Sequence, residues 1–172
     1  MKKTIPALVA VALLATLLPG QEVKIVDATP FAYAYLECRG SYAQIPAKIN
    51  EFMGAFFQQG LIPQGSFFAM YLNAPAEVKE EDLLWRLGFP VSDDADVAAP
   101  LKRGDCRAAK IAVCLHVGPY DQVSGAYARV FAFIGDQGFK PSGPCIEKYL
   151  NNPMEVKPEE LRTEINVPLE RK

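Results

Sequence analysis

The chain has 172 residues, half of them apolar, which is enough for one well-cored domain and too little for two large ones. Its net charge of −2, with Lys and Arg scattered along the chain, gives no basic footprint, so nucleic acid is not an expected partner. A single histidine and four widely spaced cysteines supply no metal-ligand pattern; neither a metal site nor a cofactor is expected.

At the N-terminus, Lys2 and Lys3 precede an uncharged run from Ile5 to Leu18, the pattern of a secretory signal peptide. The run is short for a spanning helix, and Pro19-Gly20 is a poor cleavage site. Residues 1–20 are therefore expected to act as a signal peptide or an uncleaved N-terminal anchor. The protein is then exported, periplasmic or extracellular, and touches a membrane only if the segment is retained. In an oxidising compartment Cys38, Cys106, Cys114 and Cys145 allow up to two disulfides, with buried thiols the alternative for Cys114 and Cys145.

A short leading strand is predicted at Glu22 to Val26, followed by a strand rich in aromatic and branched residues from Phe31 to Cys38. Ile45, Ile49, Phe52, Met53 and Phe56 then recur at helical spacing, with Gly60 and Pro63 ending the helix. Two further strands, Ser66 to Leu72 and Leu83 to Val91, flank a turn-rich Asn-Ala-Pro-Ala-Glu loop. The acidic stretch from Ser92 to Asp105 reads as a linker. Beyond it the order repeats: a strand from Lys110 to Val117, a helix carrying Val123, Tyr127, Val130, Phe131 and Ile134, then strands at Pro144 to Leu150 and Leu161 to Leu169.

The repetition is literal. Tyr42 lies 78 positions before Tyr120, and the same offset carries Gly40 onto Gly118, Gly60 onto Gly138, and Tyr71-Leu72-Asn73 onto Tyr149-Leu150-Asn151. It also carries Glu77-Val78-Lys79 onto Glu155-Val156-Lys157. Residues 22–169 are thus expected to form one duplicated domain, with copies at about 22–91 and 106–169 joined by the 92–105 linker. The fold class that follows is α+β: two β-α-β-β units forming one antiparallel sheet with both helices on one face.

Alternation along the strands sorts candidate ligand residues. Cys145, Glu147 and Tyr149 share one side of their strand and Phe67, Ala69 and Tyr71 share one side of theirs, while Ile146, Leu150, Phe68 and Leu72 take the other. The second group suits a helix-covered core, so the first is expected on the far face. There Glu147 stands out, because the sister copy has Ala69. A lone carboxylate among apolar neighbours suggests either a wet sheet face or an aromatic-lined pocket for a cationic ligand. Tyr33 and Tyr35 are further pocket candidates with edge packing as the alternative, Trp85 is a pocket wall or a core plug, and Tyr42 and Tyr120 are read as structural.

The string Cys145-Ile146-Glu147-Lys148-Tyr149-Leu150-Asn151-Asn152-Pro153, followed by Pro158 to Ile165, resembles the C-terminal signature of GyrI-like small-molecule-binding (effector-binding) domains, and the Gly118-Pro119-Tyr120 turn fits it. The resemblance runs from about Glu22 to Leu169. It implies the duplicated fold, a pocket between the halves and a ligand-facing acid at Glu147. Members fused to helix-turn-helix modules sense drugs and other amphipathic cations, and some stand-alone members hydrolyse cyclopropanoid toxins with the pocket glutamate. No such DNA-binding module is read here, so a transcriptional role is not expected. The fold also resembles SOUL-type haem-binding proteins, which raises His116 as a ligand, against the simpler reading of an exposed or loop-supporting histidine. The expected function is binding of hydrophobic, cationic or planar aromatic ligands, with hydrolysis through Glu147 as the alternative and a tetrapyrrole binder behind it.

Overall fold

A computed structural model describes residues 22–172, so the expected export segment lies outside the described residues. In chain order the elements are β1 (Val23–Asp27), β2 (Phe31–Arg39), α1 (Ile45–Gln58), β3 (Phe68–Tyr71), β4 (Leu84–Val91), β5 (Lys102–Cys106), β6 (Lys110–Val117), α2 (Ser124–Asp136), β7 (Phe139–Pro141), β8 (Cys145–Tyr149) and β9 (Arg162–Arg171). Eight strands pair antiparallel in the order β1-β6-β9-β8-β3-β4-β2-β5, and β7 adds a short pair on β9. Among the described residues no helix is long and apolar enough to cross a membrane.

Local chemistry explains why the same residues recur 78 positions apart. Gly60 and Gly138 end their helices at φ 69° and 72°, a left-handed conformation that a side chain would strain. Asn73 Oδ1 accepts from Leu84 N–H at 2.9 Å while its Nδ2 donates to Asp82 O at 3.0 Å. Asn151 does the same with Arg162 and Glu160, at 2.9 and 2.8 Å. Each asparagine thereby clamps the long loop between two paired strands.

The strand order reads the same from either end once each strand is exchanged for its counterpart. At its centre β3 pairs with β8, and Ala69 faces Glu147. These two are counterparts in the repeat, so the approximate two-fold axis passes between them. At the edges the symmetry has a further consequence: β1 pairs with β6 of the second copy, and β5 pairs with β2 of the first. Asp27 faces Lys110, and its counterpart Asp105 faces Ala32 in the same register. The segment expected to be a linker therefore ends in the leading strand of the second copy. Its Lys-Arg-Gly-Asp sequence lacks apolar alternation because β5 is a largely exposed edge strand.

Both helices lie on one face, as expected, but the strand faces are the reverse of the expected ones. Phe52 and Phe56 of α1 pack on Ala32, Ala34, Cys38 and Ala69, and Val130 and Ile134 of α2 pack with Ala112 and Cys114. Bulky helix residues need a bed of small ones, and that bed is the side carrying Ala69 and Glu147. Phe68 and Ile146 instead sit on the face away from the helices, in a cluster with Tyr33, Tyr35 and Met70. Leu72 and Leu150 are partly exposed beyond the strand ends rather than in the core.

Candidate functional site

Between α1 and α2, above the β3–β8 pair, the helix-bearing face opens into a cavity of about 1690 Å³. Its floor carries Phe67, Tyr71, Cys145, Glu147 and Tyr149; Ile49 and Met53 form the α1 wall, and Tyr127 and Phe131 the α2 wall. Glu147 is only 7% exposed. Its carboxyl accepts hydrogen bonds from Tyr127 at 2.9 Å, Tyr149 at 3.0 Å and, more weakly, Tyr71 at 3.4 Å. Among the described residues no Lys or Arg forms a salt bridge with it. Burial pushes the Glu147 carboxyl above the usual carboxylate range, against the pull of the three hydroxyls and of His116. Burial first, and the Glu147 charge second, push the Tyr71 and Tyr127 hydroxyls above the ordinary phenol range. The Cys145 thiol is likewise pushed up to about 11, mainly by burial. None of the four cysteines is disulfide-bonded.

The two copies contribute unlike walls. Phe67, Ile49 and Ala69 of the first correspond to Cys145, Tyr127 and Glu147 of the second, so at these positions one side is apolar, while the other holds the acid and two of its three hydroxyl partners, the third being Tyr71 of the first copy. At the rim the copies agree again: Tyr42 packs edge-on against Tyr71 at 5.3 Å, and Tyr120 against Tyr149 at 5.4 Å.

Of the sequence-predicted residues, Glu147, Tyr149, Tyr71, Phe67 and Cys145 come together in this cavity, on the helix side of the sheet. Tyr33 and Tyr35 do not. They lie on the opposite face, where the Arg86 guanidinium sits 4.3 Å over the Tyr35 ring and donates to the Tyr33 hydroxyl at 3.0 Å. Tyr33 can fold flat there because Gly104 opposite has no side chain: a Cβ would meet the ring at 2.6 Å. Trp85 is a core plug, fully buried, with its indole N–H donating to Gly40 O at 3.1 Å. His116 is 7% exposed, and its Nε2 lies 3.0 Å from Pro119 O, so it supports the turn before α2 instead of standing exposed. Sequence reasoning missed Tyr127, although its mismatch with Ile49 was visible, and read the rim residues Tyr42 and Tyr120 as structural. Among the described residues no cluster of His, Cys, Asp and Glu could hold a metal ion.

The sequence matches the family model described as the GyrI-like small molecule binding domain over residues 21–170. No curated protein matches it significantly. Among solved structures, the EcmrR C-terminal domain superposes with a TM-score of 0.77 at 18% identity, covering 88% of this chain and 98% of that one. A hydrolase encoded by lin2189 from Listeria innocua gives 0.63 at 13% identity, covering 88% and 93%. SAV2435 bound to tetraphenylphosphonium gives 0.59 at 15% identity, covering 87% and 94%. At these identities the likeness is one of fold.

Proposed function

We propose that this chain, which belongs to the GyrI-like small molecule binding domain family, is an exported binding protein for lipophilic cationic or planar aromatic compounds that meet Glu147 on the cavity floor. The observation that carries this reading is a buried carboxyl, held by tyrosine hydroxyls and, among the described residues, in no salt bridge with Lys or Arg, at the centre of an aromatic-walled cavity of about 1690 Å³. A cation entering there gains a charge partner in a poorly solvated site and aromatic faces from Tyr71, Tyr149 and Phe67. Tetraphenylphosphonium, the compound bound to the fold neighbour SAV2435, is of this class. Lys2, Lys3 and the apolar run after them support export. A reporter active only outside the cytoplasm, fused behind residue 172, tests that part and should light up.

Binding is favoured over hydrolysis because turnover needs a proton donor opposite Glu147, and the neighbouring hydroxyls hold their protons more tightly than an ordinary phenol. The test is a fluorescence titration of a cationic aromatic dye and its uncharged analogue on the protein and on Glu147→Gln. The substitution should weaken the cation by about tenfold to a hundredfold, the value of a charge-assisted contact, and leave the neutral analogue nearly unchanged. Equal changes for both dyes would sink the role given to Glu147.

A further inference from the structure

The groups around Glu147 share one property: most are neutral and can turn round. Tyr71 from β3, Tyr149 from β8 and Tyr127 from α2 supply hydroxyls, each able to donate or to accept. Cys145 lies beside them on β8, and Tyr42 and Tyr120 stand at the rim. α1 offers the uncharged Ile45, Ile49, Asn50 and Met53, while Ala69 and Ile165 face Glu147 across the neighbouring strands. The ionisable groups besides these that reach the site are His116 from β6, engaged at Pro119 O, Glu77 in the loop after β3, and Asp121 in the turn before α2. A site built to keep a permanent carboxylate would be lined with fixed donors such as guanidinium or amide N–H. A cage of hydroxyls instead satisfies either form. With the carboxylate all three donate; with the acid, the long 3.4 Å contact lets Tyr71 accept the carboxyl O–H.

We propose that Glu147 is a proton-exchange site: in the empty cavity it carries a proton, and a lipophilic cation enters by displacing that proton to solvent, one proton out for each cation in. The cavity then stays electrically neutral in both states, which is what a poorly solvated site demands. The same chemistry admits a second ligand class. While protonated, Glu147 offers its O–H to neutral lipophilic acceptors such as phosphine oxides or tertiary amides. The push of burial on the carboxyl acts in the same direction. This inference rests on the reading of the cavity as the ligand site, and its test separates the two.

The experiment is calorimetric titration of the protein with tetraphenylphosphonium in paired buffers of unlike ionisation enthalpy, between about pH 5 and about pH 9. At the acidic end, proton release should approach one per cation, and the apparent Kd should tighten about tenfold per pH unit until Glu147 is already ionised before the cation arrives. Triphenylphosphine oxide should bind without proton release at the acidic end and weaken as pH rises. Glu147→Gln, checked for an intact thermal transition, should bind the cation more weakly, with no proton released and no pH dependence. Cation binding with a flat Kd and no proton release overturns proton exchange alone and leaves the binding reading standing. Proton release that persists in Glu147→Gln assigns the proton to another group and also overturns it. No binding of tetraphenylphosphonium at any pH overturns both readings.

Discussion

The half around α1 and the half around α2 share a backbone and fill it differently. Behind α1, Trp85 and Cys38 plug the core; their counterparts behind α2 are Thr163 and His116. On the face away from the helices, Tyr33, Tyr35 and Arg86 close over the first half. In the second half Ile111, Val113 and Glu164 stand at those positions and leave a groove of about 530 Å³. In the cavity the contrast runs the other way, the first half supplying bulk and one hydroxyl, Tyr71, and the second the acid and the two closer hydroxyls. The first copy thus carries the more fully plugged core, and the second carries the acid and most of the polar groups of the cavity. What the copies still share, the asparagine clamps and the helix-ending glycines, is what the backbone needs whatever the side chains do.

The largest effect should come from separating the halves. In the fragment 22–91, β1 has lost β6 and β2 has lost β5, so both edges stand open and the β3 edge loses β8. Neither 22–91 nor 92–172 should unfold cooperatively alone, and mixing them should restore one transition. A cooperative melt of 22–91 by itself would break the picture of mutual dependence. Next, Trp85→Ala should cost about 3–5 kcal/mol in chemical denaturation, because a fully buried indole and its hydrogen bond are removed with little room for collapse.

Ala69→Glu tests whether the asymmetry on the axis is required. It sets a second buried carboxylate directly opposite Glu147 and should cost about 3 kcal/mol near pH 8. The sign of the pH dependence follows from burial. A carboxyl raised in the folded state is stabilising below its unfolded range, and that contribution is lost as pH rises through the folded value. The charge part of the penalty should therefore shrink toward about pH 5, and Ala69→Glu combined with Glu147→Ala should recover that part while leaving the cost of a larger side chain under α1. A variant as stable as the parent near pH 8 would show that the pair is not confined. The smallest effect is Thr163→Val, at the position opposite Trp85 in the repeat. Thr163 Oγ1 is buried without a hydrogen-bond partner, so the isosteric change should gain up to about 1 kcal/mol, read as a raised Tm. A loss would mean that the hydroxyl is satisfied in solution.

Much of this was legible in the residues. Periodicity and the 78-position offset located both helices, and the grouping of Glu147 with Tyr149, Tyr71 and Phe67 followed from strand parity alone. Parity could separate the two faces but not say which carried the helices, because both are apolar. Residue size held that information: Ala32, Ala34, Ala69 and Ala112 mark the bed, and Tyr33, Tyr35 and Phe68 mark the side with no helix to fill it. The β5 strand was hidden by its polar sequence, although the offset from Val23–Asp27 pointed to it. Tyr42 and Tyr120 pack edge-on against Tyr71 and Tyr149, in keeping with a structural reading, and the same symmetry also sets both on the rim of the cavity, which matching alone did not reveal.

Placing Ala69 and Glu147 on the approximate axis bears on how such a site can arise. In an assembly of two identical units, any residue on the axis is present twice, and an acid there would meet its own copy. A lone acid opposite a small residue requires the two units to differ in sequence, which two copies joined in one chain allow. Fusion of the two units is, in that sense, part of the chemistry of the site: it frees Glu147 from the symmetry of the fold that holds it.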